Sequence, residues 1–235
     1  MKKGEAKGLL VLWSDIDEVH RMEYQKWHNC QHMTERVTIP GFHVGRRYRG
    51  IGQAQDFLMT YETDDAGVLK SEPYIRSLNN PTPWSREIIR YLRNTKRGIY
   101  RLLSTAGKKP ITDATYVYLM QFNIPESAEV EVMGWYRKEY MPQICVLPGV
   151  DRGRLYEMDA EVSNIMTGER KIHGGGPGEQ KYLSLFEMES SDLAGSKEWE
   201  AVGRKDIKRD QLENITGSLF WLDFTMYAPG VFLTD

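Results

Sequence analysis

The sequence repeats itself. The segment running from Trp27 to Tyr48 aligns without a gap onto Trp135 to Tyr156, 108 residues later. Seven positions are identical: Trp27/Trp135, Met33/Met141, Pro40/Pro148, Gly41/Gly149, Gly45/Gly153, Arg46/Arg154 and Tyr48/Tyr156. A repeat of this length constrains the fold more than any local motif, because each copy must be one supersecondary unit that packs against its twin. Upstream the register holds, with Glu18 over Glu126. Downstream, FLMTYE (57–62) matches YLSLFE (182–187) at an offset of 125, so the second half carries about 17 extra residues within 158–180.

Each half reads as strand, helix, strand, strand, helix, strand. The apolar run GLLVLWS (8–14) and its counterpart TYVYLMQF (115–122) have strand character. Residues 17–34 and 125–141 have helical spacing, and Pro40-Gly41 and Pro148-Gly149 end them. Second strands follow at 43–49 and 151–157, third strands at 57–62 and 182–187. Second helices are expected near 84–93 and 196–211, and closing strands at 98–103 and 218–224. A βαββαβ unit is the ferredoxin-like motif, an antiparallel sheet with helices on one face and an apolar second face left bare. The expected fold is therefore α+β: two tandem ferredoxin-like units, 1–105 and 115–235, joined by a linker at 106–114. Their sheets would pack face to face as an intrachain pseudo-dimeric α+β barrel.

Composition excludes other classes. Thirty-one basic against 33 acidic residues give a net charge of −2, which removes the electrostatic case for nucleic acid. No apolar run is long enough for a membrane helix, and the N-terminus lacks a signal-peptide core. Two cysteines, Cys30 and Cys145, form neither a disulfide framework nor a CxxC pair. A cytoplasmic protein is the expectation, with a further homodimer left open by the edge strands and the second helices.

The chemistry sits where the repeats differ. His20, Tyr24, His28 and His32 recur every four residues along one helical face. Their counterparts are Ala128, Val132, Tyr136 and Tyr140. Half one thus offers imidazole where half two offers hydrocarbon and phenol, so one half should carry a site. His28 and His32 could share a metal, but no third ligand accompanies them, and neither metal nor cofactor is expected. Phe42, Val44, Arg46 and Tyr48 should share a strand face, with His43 on the other. Arg46 and Arg154, if buried, need either glutamate partners (Glu62, Glu187) or an anionic ligand. The glycine-rich run HGGGPGE (173–179) suits a disordered loop better than a lid carrying His173.

The string W-x4-H-x7-PGF-x3-RRY, read from Trp27, His32, Pro40, Gly41, Phe42, Arg46, Arg47 and Tyr48, resembles the dimeric α+β barrel superfamily, and within it the EthD-like proteins. The resemblance implies a ligand cavity bordered by His32, which becomes the leading general acid/base. Its imidazole has a pKa near working pH. The expected site has His32, His28 and Tyr140 as catalytic groups. Tyr24, Arg46, Trp27, Tyr136 and Arg154 would bind a small aromatic or carbonyl-bearing ligand. The expected function is a cofactor-independent isomerase, cyclase, dehydratase or other lyase. A haem- or oxygen-dependent oxidoreductase of the superfamily and a non-catalytic small-molecule binding module are the alternatives.

Overall fold

The computed structural model describes residues 5–204, 206 and 208–231. Eight antiparallel strands close into a barrel in the order β1-β3-β2-β8-β5-β7-β6-β4. The strands are β1 (Gly8–Ile16), β2 (Phe42–Ile51), β3 (Phe57–Thr63), β4 (Leu92–Gly107), β5 (Tyr116–Asn123), β6 (Val150–Met158), β7 (Tyr182–Met188) and β8 (Glu213–Tyr227). The pairing scheme of the first four recurs in the last four: β1 lies between β3 and β4 as β5 lies between β7 and β8. Closure gives every strand two neighbours in the barrel, although the first parts of β4 and β8 each have a barrel neighbour on one side only.

The fourth strands perform the closure, and they are far longer than the sequence pattern suggests. The first part of β4 pairs with β1 and its last part, Tyr100–Gly107, with β6 of the other half. Likewise β8 pairs with β5 and then, over 219–227, with β2. The strand β4 therefore runs into the stretch expected to be linker.

Both sheet faces are buried, which explains the unbroken apolar run of β1: a strand covered on two sides needs no alternation. Leu9, Val11 and Trp13 join Tyr48, Leu58, Tyr100, Tyr156, Leu183, Leu185 and Phe220 in the barrel interior. Leu10 and Ile16 point outward into a helix layer over half one, and a separate helix layer covers half two. The helices of half one are α1 (Arg21–Trp27), α2 (Met33–Val37), α3 (Glu72–Asn79) and α4 (Pro83–Ile89). Those after β5 are α5 (Glu129–Trp135), α6 (Met141–Ile144), α7 (Ala160–Ser163), α8 (Gly168–His173) and α9 (Lys197–Ala201). The last is much shorter than the helix expected over 196–211, a span in which Lys205 and Ile207 lie outside the described residues. No helix among the described residues is long and apolar enough to cross a membrane.

Two expectations about strand faces and loops are corrected. The β2–β3 register shifts between Phe42 and Val44. That bulge at His43 turns Phe42 outward into the helix layer, while Val44, Arg46 and Tyr48 stay on the barrel side. A bulge adds one residue to one strand and so reverses the alternation beyond it. The inserted segment is not a disordered loop. It forms α7 and α8, packs on half one, and adds a bridge between Lys96 and Gly176. Side-chain oxygens of Asp159 and Thr167 cap the two helices.

Candidate functional site

The site begins with an irregularity in the first helical unit. Between α1 and α2, residues His28–His32 form a single π-turn, and Tyr136–Tyr140 do the same in half two. On a regular α-helix, side chains five apart diverge by about 140°. The wider turn brings Trp27 and His32 to the same place, with ring centroids 4.3 Å apart. Such turns are concentrated at functional sites.

Tyr24, Trp27, His28 and His32 line one cavity between the helices and the sheet of half one, with about 50 Å³ of free space. Below them, β1 and β3 contribute Leu10, Leu12, Met59 and Tyr61, and α3 contributes Tyr74 and Leu78. Arg97 of β4 lines one wall, and the inserted segment supplies Thr167, Glu169 and His173. His20, the fourth member of the expected histidine row, stacks on Tyr91 instead and does not line the cavity.

The hydrogen bonds fix the state of His28. Arg47 Nη1 lies 3.3 Å from His28 Nδ1. A guanidinium can only donate, so Nδ1 accepts and Nε2 carries the proton. That proton points at Tyr61 Oη, 3.4 Å away. Arg47 is itself held by Asp223 of β8, 2.7 Å from Nη2, and donates to Asn29 Oδ1 at 2.8 Å. A chain thus runs from Asp223 through Arg47 and His28 to Tyr61, leaving the Tyr61 hydroxyl proton free to meet a ligand. Tyr24 Oη donates to Met59 Sδ at 3.0 Å and Trp27 Nε1 to Ser85 Oγ at 3.1 Å.

His32 is half-buried, and its Nδ1 has no hydrogen-bond partner. Burial, then the Arg36 guanidinium, then His28 push its pKa well below the ordinary value. Burial, Arg47 and Arg36 do the same to His28. Both rings are neutral at physiological pH. Arg36 forms a buried ion pair with Glu169 and donates to Ser77, which ties the inserted segment to α2. His173 is pushed down to about 4 by burial, Arg97 and Arg170. Its Nδ1 accepts from the Gly175 amide at 2.9 Å.

The other expected site residues lie elsewhere. Tyr136 and Tyr140 belong to the helix–sheet core of half two. Tyr136 Oη meets Ser184 Oγ at 2.8 Å, and Tyr140 borders a surface depression with Trp135, Gln143 and Gly203. They do not join His32, because each helix layer covers the outside of its own half of the barrel. Arg46 and Arg154 lie on the barrel side of the sheet and share Glu62, at 2.8 and 2.7 Å. Arg46 also pairs with Asp113 at 2.8 Å, and Arg152 and Arg154 with Glu187. Burial opposes ionisation of Glu62, but Arg154, Arg46 and Arg152 together hold its carboxyl well below the usual carboxylate range. These arginines are committed to carboxylates, not to the cavity.

Arg36, Tyr61, Tyr74, Arg97, Thr167 and Glu169 line the cavity without belonging to the expected set. The repeat carries a signal for Arg36, which stands over Ile144 in the ungapped alignment. It carries none for Arg97, whose counterpart follows only from strand register. Leu12 pairs with Arg97 as Met120 pairs with Gly217, and Leu12 corresponds to Met120.

Among the described residues no group of three His, Cys, Asp or Glu side chains could hold a metal. A porphyrin does not fit this cavity either. The free space of about 50 Å³ is enough for a few waters. Both ring nitrogens of His28 already face partners, and although His32 Nδ1 has none, that volume leaves no room for a macrocycle beside it.

The architecture is a mixed α+β fold built on a closed antiparallel barrel of eight strands. Among solved structures, an anthrone oxidase-like protein matches 98% of this chain and 96% of its own at a TM-score of 0.65 and 10% identity. A protein from Fusobacterium nucleatum subsp. nucleatum described as a monooxygenase matches at 0.60 and 9%, covering 94% and 95%. A variant of the chlorite dismutase from Candidatus Nitrospira defluvii matches at 0.58 and 9%, covering 94% and 93%. No protein-family model matches the chain, and no curated protein sequence does. At such identities the likeness establishes the fold. The expected reaction is corrected as well: the cofactor-independent lyase or isomerase rests on the asymmetry of the halves and a family resemblance, and the three structures named above carry oxidase, monooxygenase and chlorite dismutase names.

Proposed function

We propose that the chain is an oxygen-dependent oxidoreductase acting on a small, electron-rich aromatic compound in the half-one cavity. The observation that carries this is His32, a neutral imidazole with an unpartnered nitrogen set against the aromatic wall of Trp27, Tyr61 and Tyr74. A neutral imidazole accepts a proton. Removing one from a phenol, or from a methylene activated by flanking rings, yields an anion rich enough to reduce dioxygen. For a methylene, each substrate consumes one dioxygen and yields one ketone and one water. Both C–H bonds break and the carbon loses four electrons. One oxygen atom enters the new carbonyl, and the other leaves as water with the two hydrogens. The Tyr61 hydroxyl, oriented by His28, donates to the oxygen on which negative charge gathers. The names of the matched structures support an oxidative rather than an eliminative fate for that anion. The same reading takes the halves as a tandem ferredoxin-like duplication, and the motif from Trp27 to Tyr48 supports an EthD-like ancestry.

The test is oxygen uptake by the purified chain on a panel of anthrones, naphthols and hydroquinones. Uptake that disappears in His32→Ala is expected. Uptake unaffected by that substitution, or none on any member of the panel, would overturn the reading. Added hemin should give no Soret shift attributable to histidine ligation. A stoichiometric shift that depends on His32 would replace this reading with a haem enzyme.

A further inference from the structure

We infer that the ligand of this cavity is an aromatic acid, held by its carboxylate on Arg97. The inference rests on the cavity being the ligand site and names the class of compound it takes.

Arg97 is 7% exposed and lines the cavity. Its guanidinium donates from Nη2 to Tyr74 Oη at 3.2 Å. Among the described residues no carboxylate lies within ion-pair distance of it. Of the described residues lining the cavity, the one carboxylate, Glu169, is committed to Arg36. Burying a guanidinium without a counter-ion is costly, and protein interiors normally pair it. Other arginines show how strictly this chain follows that rule: Arg46, Arg47, Arg152 and Arg154, all buried, each hold a carboxylate.

The charge count leaves one position to fill. Arg36 and Glu169 cancel, and His28, His32 and His173 are neutral because burial and neighbouring cations oppose their protonation. Among the described lining residues, Arg97 is the positive charge left over. A guanidinium offers five N–H donors in a planar fork that matches a carboxylate. Tyr74, Trp27 and His32 supply flat apolar surface for a ring beside it. Half two lacks the device, since Gly217 stands in the register of Arg97. Binding a ring requires the cavity, about 50 Å³ as it stands, to widen with the Arg36–Glu169 pair still closed.

The test compares 4-hydroxybenzoate with 4-hydroxybenzamide at pH 7.5, probes with the same ring and phenol that differ in one charge. Binding is followed by titration calorimetry and by intrinsic tryptophan fluorescence, to which Trp27 in the cavity contributes. The acid should bind at least roughly tenfold more tightly than the amide. Arg97→Gln should abolish the difference, and Arg97→Lys should retain part of it. Equal affinities in the unsubstituted protein, acid preference surviving in Arg97→Gln, or no acid binding at about 10 mM would each overturn the inference. The acid–amide comparison needs no variant and decides the matter even if Arg97→Gln fails to fold. Oxygen uptake separates this inference from the oxidase reading. Acid-selective binding without uptake on any substrate removes the oxidase and leaves Arg97 as an anion site. Uptake that is equal on neutral and acidic phenols does the reverse.

Discussion

Half one and half two wrap the same helical unit, with the same π-turn, around sheets with the same pairings, yet the histidine-lined cavity belongs to half one. In half two the corresponding volume is filled by rings: Phe122 on Tyr136 at 4.9 Å, Tyr136 on Tyr140 at 5.0 Å, Phe186 on Trp199 at 5.0 Å. In half one, His28 and His32 replace the two tyrosines, Tyr61 replaces Phe186, Arg36 replaces Ile144 and Arg97 replaces Gly217. Each exchange puts a more polar group into the half-one layer, and buried polar groups persist only where something satisfies them. Part of that satisfaction comes from the inserted segment, whose Glu169 neutralises Arg36. The inserted segment of the second half thus completes the wall of the cavity in the first.

The comparison is broken most directly by truncating equivalent residues. His32→Ala should lower oxygen uptake by about 10²- to 10⁴-fold with little change in Tm. Tyr140→Ala, its counterpart, should leave uptake within a few-fold but destabilise the chain by about 3 kcal/mol in denaturant unfolding, as loss of a buried ring does. Equal kinetic effects of the two would show that the site is not one-sided.

The halves should also be inseparable through the barrel. Glu62→Gln removes the carboxylate shared by Arg46 and Arg154 and should cost about 3–5 kcal/mol, read as a shift of the urea midpoint. A protein that loses only one half's structure on this substitution would contradict the shared ion-pair layer.

Acid should destabilise the chain through the histidines of the half-one cavity. His28, His32 and His173 have folded pKa values below 6.5, so the unfolded chain binds their protons more readily. Their contribution is complete above about 6.5 and is lost as pH falls, by up to about 1.4 kcal/mol per pH unit for each ring. His28→Gln should flatten the slope of stability between about pH 6.5 and 5, measured by denaturant titration at each pH. An unchanged slope would mean that His28 is not held neutral.

The smallest effect sharpens what the halves share. Gly45 and Gly153 both let a helix approach its strand. A Cβ at Gly45 would overlap Met33 Sδ, and one at Gly153 would meet Cys145 Sγ at 2.9 Å. Alanine at either position should destabilise by about 1–3 kcal/mol, more at Gly45, with Tm as the readout.

Much of this is legible in the residues alone. Element order, the α+β class and the half-to-half difference at His28 and His32 follow from periodicity and from an ungapped repeat, both properties of neighbouring positions along the chain. Tyr24, Trp27, His28 and His32 share a cavity because they share one helical unit, and local spacing carries that information. Distance across the fold is what the repeat does not encode. It aligns Tyr136 and Tyr140 with the histidines, and Arg46 with Arg154, but equivalent positions in two repeats need not be neighbours in space.

The sequence by itself determined that two similar units exist and that their first helices differ in chemistry, since hydrophobic period and side-chain identity are local. Tertiary structure alone decided which groups meet. Barrel closure put the helix layers on separate halves, the bulge at His43 set which strand residues face inward, and strand register matched Arg97 with Gly217. The insertion came back over the other half to seat Glu169 and His173. Those outcomes depend on long-range pairing and on where burial leaves a charge without a partner, and no periodicity along the chain encodes either.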